Sequence, residues 1–393
     1  MSSVCSRLQG IFSKPPKAPL ATAIDTFFSS PSSTSQQPPN PSPISAPSQI
    51  EHIVKTFKKN SRSPDFRRRQ YVYETVVRRL VAANHLSAVE SILEHQKKYK
   101  DSMADEGFGV RLISLYGKAG MFDHAHKVFD EMPQFDVTRT VTSFNALLYA
   151  CVKAKKFDKI GELFRELPEK LGIQPNVISY NTVIKAFCEL NDFDSAMKVI
   201  EIMEESTIGP DTVSYNTMFE AYYKDNKLDE AEKLWQRMEE KGVIVNVRTY
   251  NAKLRGLIGN EQIKEALELV ENMENGEVKP DSFTYNLAMK GCVSSGKLEE
   301  AKMLHRKMAG DYCLPNKTTY QMLIPFACGK DDIDFAFELC KQAVELKVFV
   351  FKKLMQLVVG ALIEGSKVEE AKELVALVTS SGRHLTLKLP VTE

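Results

Sequence analysis

The tetrapeptide Ser-Tyr-Asn-Thr stands at Ser179–Thr182 and returns at Ser214–Thr217, thirty-five residues later. Related triplets occur at Ser143-Phe144-Asn145, Thr249-Tyr250-Asn251 and Thr284-Tyr285-Asn286, then as Thr319-Tyr320-Gln321. The spacing is 36 once and 35 thereafter. Self-similarity at a fixed period of this length is the mark of a repeat array, so the 393 residues need not be packed around one large core.

Each unit reads as two helices. Tyr180, Val183, Ile184 and Phe187 follow the i, i+3, i+4, i+7 spacing, and so do Ala196, Val199, Ile200 and Met203. The next unit repeats both stripes with Tyr215, Met218, Phe219 and Tyr222, then Ala231, Leu234, Trp235 and Met238. Ser or Thr before the aromatic can cap the first helix, and Pro210-Asp211, Pro280-Asp281 or Pro315-Asn316 ends the preceding unit. Gly120 and Gly296 suit the tight turn inside a unit. A short helix cannot bury its stripe alone, so stacked neighbours must supply the core.

The register extends to Glu106–Thr140 and, in degenerate form, to Arg69–Asp105 upstream and to Lys317–Phe351 and Lys352–Gly382 downstream. The expected fold is all-α: a right-handed α-solenoid of about eight helix-turn-helix units over residues 69–382, with a short tail at 383–393.

Residues 1–50 hold Arg7, Lys14 and Lys17 against Asp25 and are crowded with Ser and Pro. They read as an organelle transit peptide followed by a disordered segment. Residues 51–68 are expected to be a basic connector. Across residues 51–100, twelve Lys or Arg face five acids, densest at Arg67, Arg68, Arg69, Arg78 and Arg79. With a formal net charge of +1 for the whole chain, residues 101–393 are left at about −8. A phosphate partner should therefore meet the N-terminal end of the folded part first, and bulk charge alone does not bind nucleic acid here. Apolar runs such as Val358 to Ile363 are too short for a membrane span. Seven scattered cysteines form no CxxC pair and read as reduced thiols.

The period, with Val-x-Ser/Thr-Tyr-Asn-Thr, Lys-x-Gly, Asp/Glu-x-Ala and Met…Pro-Asp, resembles the P-class pentatricopeptide repeat (PPR) proteins over residues 69–382. The 34-residue tetratricopeptide array fits poorly, since its usual Trp and Gly-Tyr positions are missing. The resemblance implies helical hairpins of plant and other eukaryotic organelles that bind single-stranded RNA along the inner surface, one base per repeat. It assigns reading to the fifth residue of each repeat, Asn145, Asn181, Asn216, Asn251 and Asn286, and to the last, Asn176, Asp211, Asn246, Asp281 and Asn316. Asn with Asp goes with uracil and Asn with Asn with cytosine, so the implied target is pyrimidine-rich, about C-U-C-U-C.

Amide side chains suit this task, offering donors and an acceptor to a Watson–Crick edge. The plainer reading is that Asn or Asp after Pro caps the next helix, and both roles can coexist. Second-position residues Thr142, Ile178, Val213, Arg248 and Phe283 are mixed, although Arg248 and Phe283 can pack on bases. Lys118, Lys153 and Lys224 stand where the family often contacts phosphate. Val110 with Thr140, Gln321 with Phe351, and Gln356 do not form readable pairs, which leaves five legible repeats.

Five bases recur by chance about once per thousand nucleotides, too often to select one transcript. The architecture resembles the short PPR proteins of plant mitochondrial ribosomes, where neighbouring proteins and ribosomal RNA add avidity. The expectation is an RNA-binding structural or accessory ribosomal protein of the mitochondrion, with the chloroplast as the alternative compartment. A free transcript-specific factor and a protein-binding scaffold are the competing readings.

No enzyme, cofactor or metal is expected. Gly291–Lys297 nearly fits a phosphate loop but has Leu298 where Ser or Thr is required. His124 and His126 point to different helix faces, and Cys151, Cys292 and Trp235 sit on packing stripes. The zinc-deaminase motifs of editing relatives are not found after the repeats.

Overall fold

The computed structural model describes residues 47–310 and 313–380, with Leu387 and Leu389. The expected transit segment falls almost wholly outside the described residues, as does most of the tail. The described residues are helical with no strands, which bears out the all-α expectation. They form nine helical pairs, one more than the roughly eight expected. The chain divides into two compact units, Met1–Met218 and Phe219–Glu393.

In the first unit the pairs are Gln70–Ala82 with Leu86–Glu94, Glu106–Lys118 with Phe122–Glu131, Val141–Lys153 with Phe157–Leu171, and Val177–Glu189 with Phe193–Glu205. Thr212–Lys224 runs across the boundary. The second unit continues with Leu228–Glu240 and with pairs beginning at Val247, Ser282, Lys317 and Lys352.

All nine intra-pair turns share one device. The residue two past the first helix takes a left-handed conformation: Asn84, Gly120, Lys155, Asn191, Asn226, Glu261, Gly296, Asp331 and Ser366, with φ between 55° and 74°. The following amide then closes back onto the helix, as in Met121 N to Tyr116 O at 2.9 Å and Gln262 N to Leu257 O at 2.9 Å. Only two of these residues are the glycines that the sequence pointed to. The others accept the left-handed strain because the closing bond and the packed helices on either side fix the turn.

Stacking supplies the core in each unit, as the amphipathic stripes require. In the first, Phe144, Leu147, Leu148, Phe164, Val183 and Ile184 are buried. In the second, Tyr285, Met289, Leu304, Tyr320 and Leu323 are. Each such side chain contributes about 2 kcal/mol when fully buried. Gly117 lets successive first helices approach closely: a Cβ there would lie 2.5 Å from Ala150 Cα. The buried Tyr73 and Tyr116 keep their hydroxyls satisfied, on Gln96 at 2.9 Å and on Glu94 at 2.8 Å.

The region expected as a basic connector is instead helical, at Pro47–Asn60 and Pro64–Arg68. Pro47–Asn60 packs on Leu86–Glu94, with Lys58 donating to Ser91 at 2.6 Å, and so covers the otherwise open second-helix side of the first pair. Phe57 is buried edge-on against Phe66 and Tyr73, at 5.2 and 5.0 Å. Arg67 is also buried. It donates to Ser61 O, Arg62 O, Ser102 and Asp101, and its guanidinium covers the Tyr99 ring at 4.3 Å. Its charge is committed to holding this end together.

Candidate functional site

The residue ending each central repeat caps the first helix of the next. Asn176 accepts from the amides of Ile178 and Ser179 at 3.1 and 3.2 Å. Asn246 and Asn316 do the same for Arg248 and Thr249, and for Thr318 and Thr319. Asp211 accepts from Ser214 N at 2.9 Å and Asp281 from Thr284 N at 2.8 Å. The Ser or Thr before the aromatic, expected as the cap, is instead the third helical residue. Its hydroxyl accepts from the cap's own amide and completes a reciprocal box.

The cap oxygens also hold the fifth-position asparagines. Asn145 Nδ2 donates to Asn176 Oδ1 at 3.1 Å, Asn181 to Asp211 at 3.0 Å and Asn286 to Asn316 at 3.4 Å. The box hydroxyl meets the other end of each amide: Ser179 on Asn145 Oδ1 at 2.6 Å, Ser214 on Asn181 at 2.5 Å and Thr319 on Asn286 at 2.7 Å. The amide is thus fixed in rotamer and in O/N orientation. One N–H and one lone pair remain for something else. These box hydroxyls belong to the candidate site and were missed by sequence reasoning, although their recurring place before the aromatic was the available signal.

Three of the expected pairs are therefore brought together. In the second unit, Thr284 turns its hydroxyl to Asp281 at 2.8 Å, and the oxygen of Asn251, 5% exposed, has no hydrogen-bond partner among the described residues. Asn216 Oδ1 is likewise without one. Asn216 and Asn246 lie in different units. Burial pushes the Asp211 carboxyl upward, but bonds from Asn181, from the Ser214 amide and hydroxyl and from the Val213 amide outweigh it, leaving its pKa below the usual aspartate value.

On the N-terminal side the junction before Asn145 is built differently. In the pair that carries Val110, Glu106 takes over the junction. It accepts from Thr140 N and Oγ1 at 3.0 and 2.8 Å and from Ser143 N at 3.2 Å. Val110, at the fifth position of that unit, has no amide to offer, and Glu106 at its first position holds the junction instead.

Beside the asparagines, the second-position side chains are open to solvent. Ile178, Val213 and Phe283 are 57%, 51% and 42% exposed, and Thr142 and Arg248 are exposed as well. Large apolar groups facing water thus recur at this one register in each unit. The lysines differ among themselves. Lys118 is paired with Glu74 at 3.0 Å, Lys153 lies over the Tyr149 ring at 5.4 Å, and Lys224 is exposed at its helix end.

Other chemistry does not assemble. Gly296 sits in a left-handed turn after the helix Ser282–Ser294, not after a strand. His124 contacts Glu90 at 3.3 Å and His126 stacks on Phe122. Trp235 is buried with its Nε1 on Glu239. Burial pushes the Cys151 thiol up to about 12 and the Cys292 thiol up to about 11, away from thiolate reactivity. No metal-binding cluster occurs among the described residues, and none of their helices is long and apolar enough to cross a membrane.

Two signatures of the PPR repeat match the chain. The one described as PPR repeat family matches 139–189, 175–220, 210–259 and 245–294, and the one described as PPR repeat matches 111–137 and 283–313. Together they cover about half of the residues. The chain is 47% identical over 209 residues to small ribosomal subunit protein mS78 (rPPR3a) of Arabidopsis thaliana, 52% of each chain. It is 46% identical over 183 residues to small ribosomal subunit protein mS79 (rPPR3b) of the same plant, 45% of this chain and 46% of the relative. A third Arabidopsis relative, named as a mitochondrial pentatricopeptide repeat-containing protein, is 38% identical over 162 residues, 41% of this chain and 38% of its own length. These matches thus span about half the length of the first two relatives, or less. Among solved structures, maize PPR10 superposes with a TM-score of 0.48 at 22% identity, over 88% of this chain and 48% of that one.

Proposed function

This chain belongs to the pentatricopeptide repeat family, and from that premise we propose that it is an RNA-binding component of the mitochondrial ribosome. Its asparagine series would engage unpaired, pyrimidine-leaning RNA. The observation that carries the reading is the set of amides at Asn145, Asn181 and Asn286, each fixed between a cap oxygen and a box hydroxyl with hydrogen-bonding capacity to spare. A preorganised amide loses little side-chain freedom when it meets a base edge. The exposed Ile178, Val213, Arg248 and Phe283 flank these amides and supply surfaces on which bases pack.

The chemistry distinguishes pyrimidine types only at the cap. Asp211 and Asp281 present carboxylates that accept alone, which favours a base with an imino donor such as uracil. The asparagine caps offer an amide compatible with cytosine. C-U-C-U-C follows as the preferred order across Asn145 to Asn286. Ribosomal placement is supported by the two ribosomal relatives, and mitochondrial placement by the third. On this reading the protein binds RNA and ribosomal proteins, and performs no catalytic step.

Gradient sedimentation of organelle lysate tests the assignment. Co-migration with a ribosomal subunit that survives mild nuclease is the expected result. Migration only in small nuclease-sensitive particles would identify a free transcript factor instead.

A further inference from the structure

We infer that the N-terminal helical cap is a second RNA-contacting surface, one that docks the phosphate backbone of paired RNA without reading bases. It extends the RNA-binding reading but does not depend on the asparagine series, which begins only at Asn145. The surface is built from Pro47–Asn60, its following turn and the segment Leu86–Lys98.

Lys55, Lys58 and Lys59 recur at three- and four-residue intervals on one side of the helix, and Arg62 follows in the turn after Asn60. Between Pro47–Asn60 and Leu86–Glu94 lies an open groove of about 500 Å³, lined by Lys55, Lys58, Ser87 and Ser91 over Val54 and Ala88. Glu51 is its one acidic lining residue. The charges of Lys98, Lys58 and Arg62 all act on His95, reinforcing burial in lowering its pKa.

The neighbouring acids are committed elsewhere. Asp65 faces Arg68, Glu74 holds Lys118, Glu90 meets His124, and Glu94 is shared by Lys97 and Tyr116. Lys55, Lys59, Arg62 and Lys98 are exposed and have no ion-pair partner among the described residues. Phe57 is buried and Tyr99 lies under Arg67 at 4.3 Å, so neither of these rings is offered for stacking. Unpaired cations beside hydroxyls fit a row of phosphates.

The test uses the full chain and an RNA hairpin with a fully paired stem and no pyrimidine run in its loop. A variant combining Lys55→Gln, Lys59→Gln, Arg62→Gln and Lys98→Gln should reduce the slope of log affinity against log salt by about 3 and weaken binding at least tenfold at 0.1 M salt. The charge-conserving set Lys55→Arg, Lys59→Arg, Arg62→Lys and Lys98→Arg should bind like the parent. The same glutamine variant should keep the parent's preference for a single strand carrying C-U-C-U-C over one carrying G-A-G-A-G, so failure of the base-reading proposal registers separately. An unchanged salt slope in the glutamine variant with undiminished helicity overturns the inference, as does loss of hairpin binding in the charge-conserving set.

Discussion

Asp211 performs two tasks that a single substitution can separate. It caps Thr212–Lys224 through Ser214 N at 2.9 Å and holds Asn181 Nδ2 at 3.0 Å. Asp211→Ala removes both acceptors. Losing the cap costs about 1–2 kcal/mol, which accelerates exchange of the amides it protects roughly 5- to 30-fold. Asp211→Asn should be far milder. Asn176 already performs both tasks with an amide oxygen, at 3.1 and 3.2 Å to the helix amides and 3.1 Å to Asn145. Only the favourable charge at the helix N-terminus is lost, about 0.5 kcal/mol.

Hydrogen exchange read by mass spectrometry on the peptide spanning residues 210–220 suits a repeat array, whose local openings need not follow one global transition. At pH 7 the expected order of protection is parent, then Asp211→Asn within about twofold to threefold, then Asp211→Ala far below. The pH dependence has a definite sign. The folded pKa of Asp211 is depressed, so its extra stabilisation is present above the ordinary aspartate value and lost as pH falls through the folded one. The gap between parent and Asp211→Asn should therefore close below about pH 4. In RNA binding, Asp211→Asn should shift the second preferred base from U toward C. Equal destabilisation by Asn and Ala, or a gap that widens in acid, would refute the shared cap-and-holder role.

Two further outcomes follow from the packing. Glu261 occupies a left-handed turn at φ 61° and is exposed, so Glu261→Gly should stabilise its local helical pair by about 1 kcal/mol, visible as slower exchange in residues 247–275. Gly117→Ala drives a Cβ to 2.5 Å from Ala150 Cα, a backbone contact that cannot rotate away. It should destabilise the second and third pairs by about 2 kcal/mol despite alanine's better helix propensity, and an unchanged denaturation midpoint would show that the helices are not so tightly apposed.

Hairpin identity was legible because the i, i+3, i+4, i+7 stripes are strong and recur at one period. The upstream helix Pro47–Asn60 was hidden by its basic, Ser- and Pro-flanked surroundings, which resemble a connector until Phe57 is seen to be buried. The left-handed turns at Lys155 and Glu261 carry no residue-type signal, since the closing amide bond imposes them. The asparagine register and its partners could be read from the resemblance. That the cap oxygen touches the amide could not, because the two residues are about thirty positions apart and meet only when helical pairs stack. The failure of Asn251 to repeat the arrangement depends on which way the Thr284 hydroxyl turns, a choice between two nearby oxygens that sequence does not resolve.

The central claim is that the fixed amides read unpaired pyrimidines, and equilibrium binding of short single-stranded RNAs tests it most directly. The full chain should favour an RNA carrying C-U-C-U-C over the same RNA carrying G-A-G-A-G. Replacing Asn145, Asn181 and Asn286, the three fixed amides, together by Ala should abolish that preference while helicity persists. Equal affinity of the parent for both RNAs, or a preference that survives the triple replacement, would contradict the account.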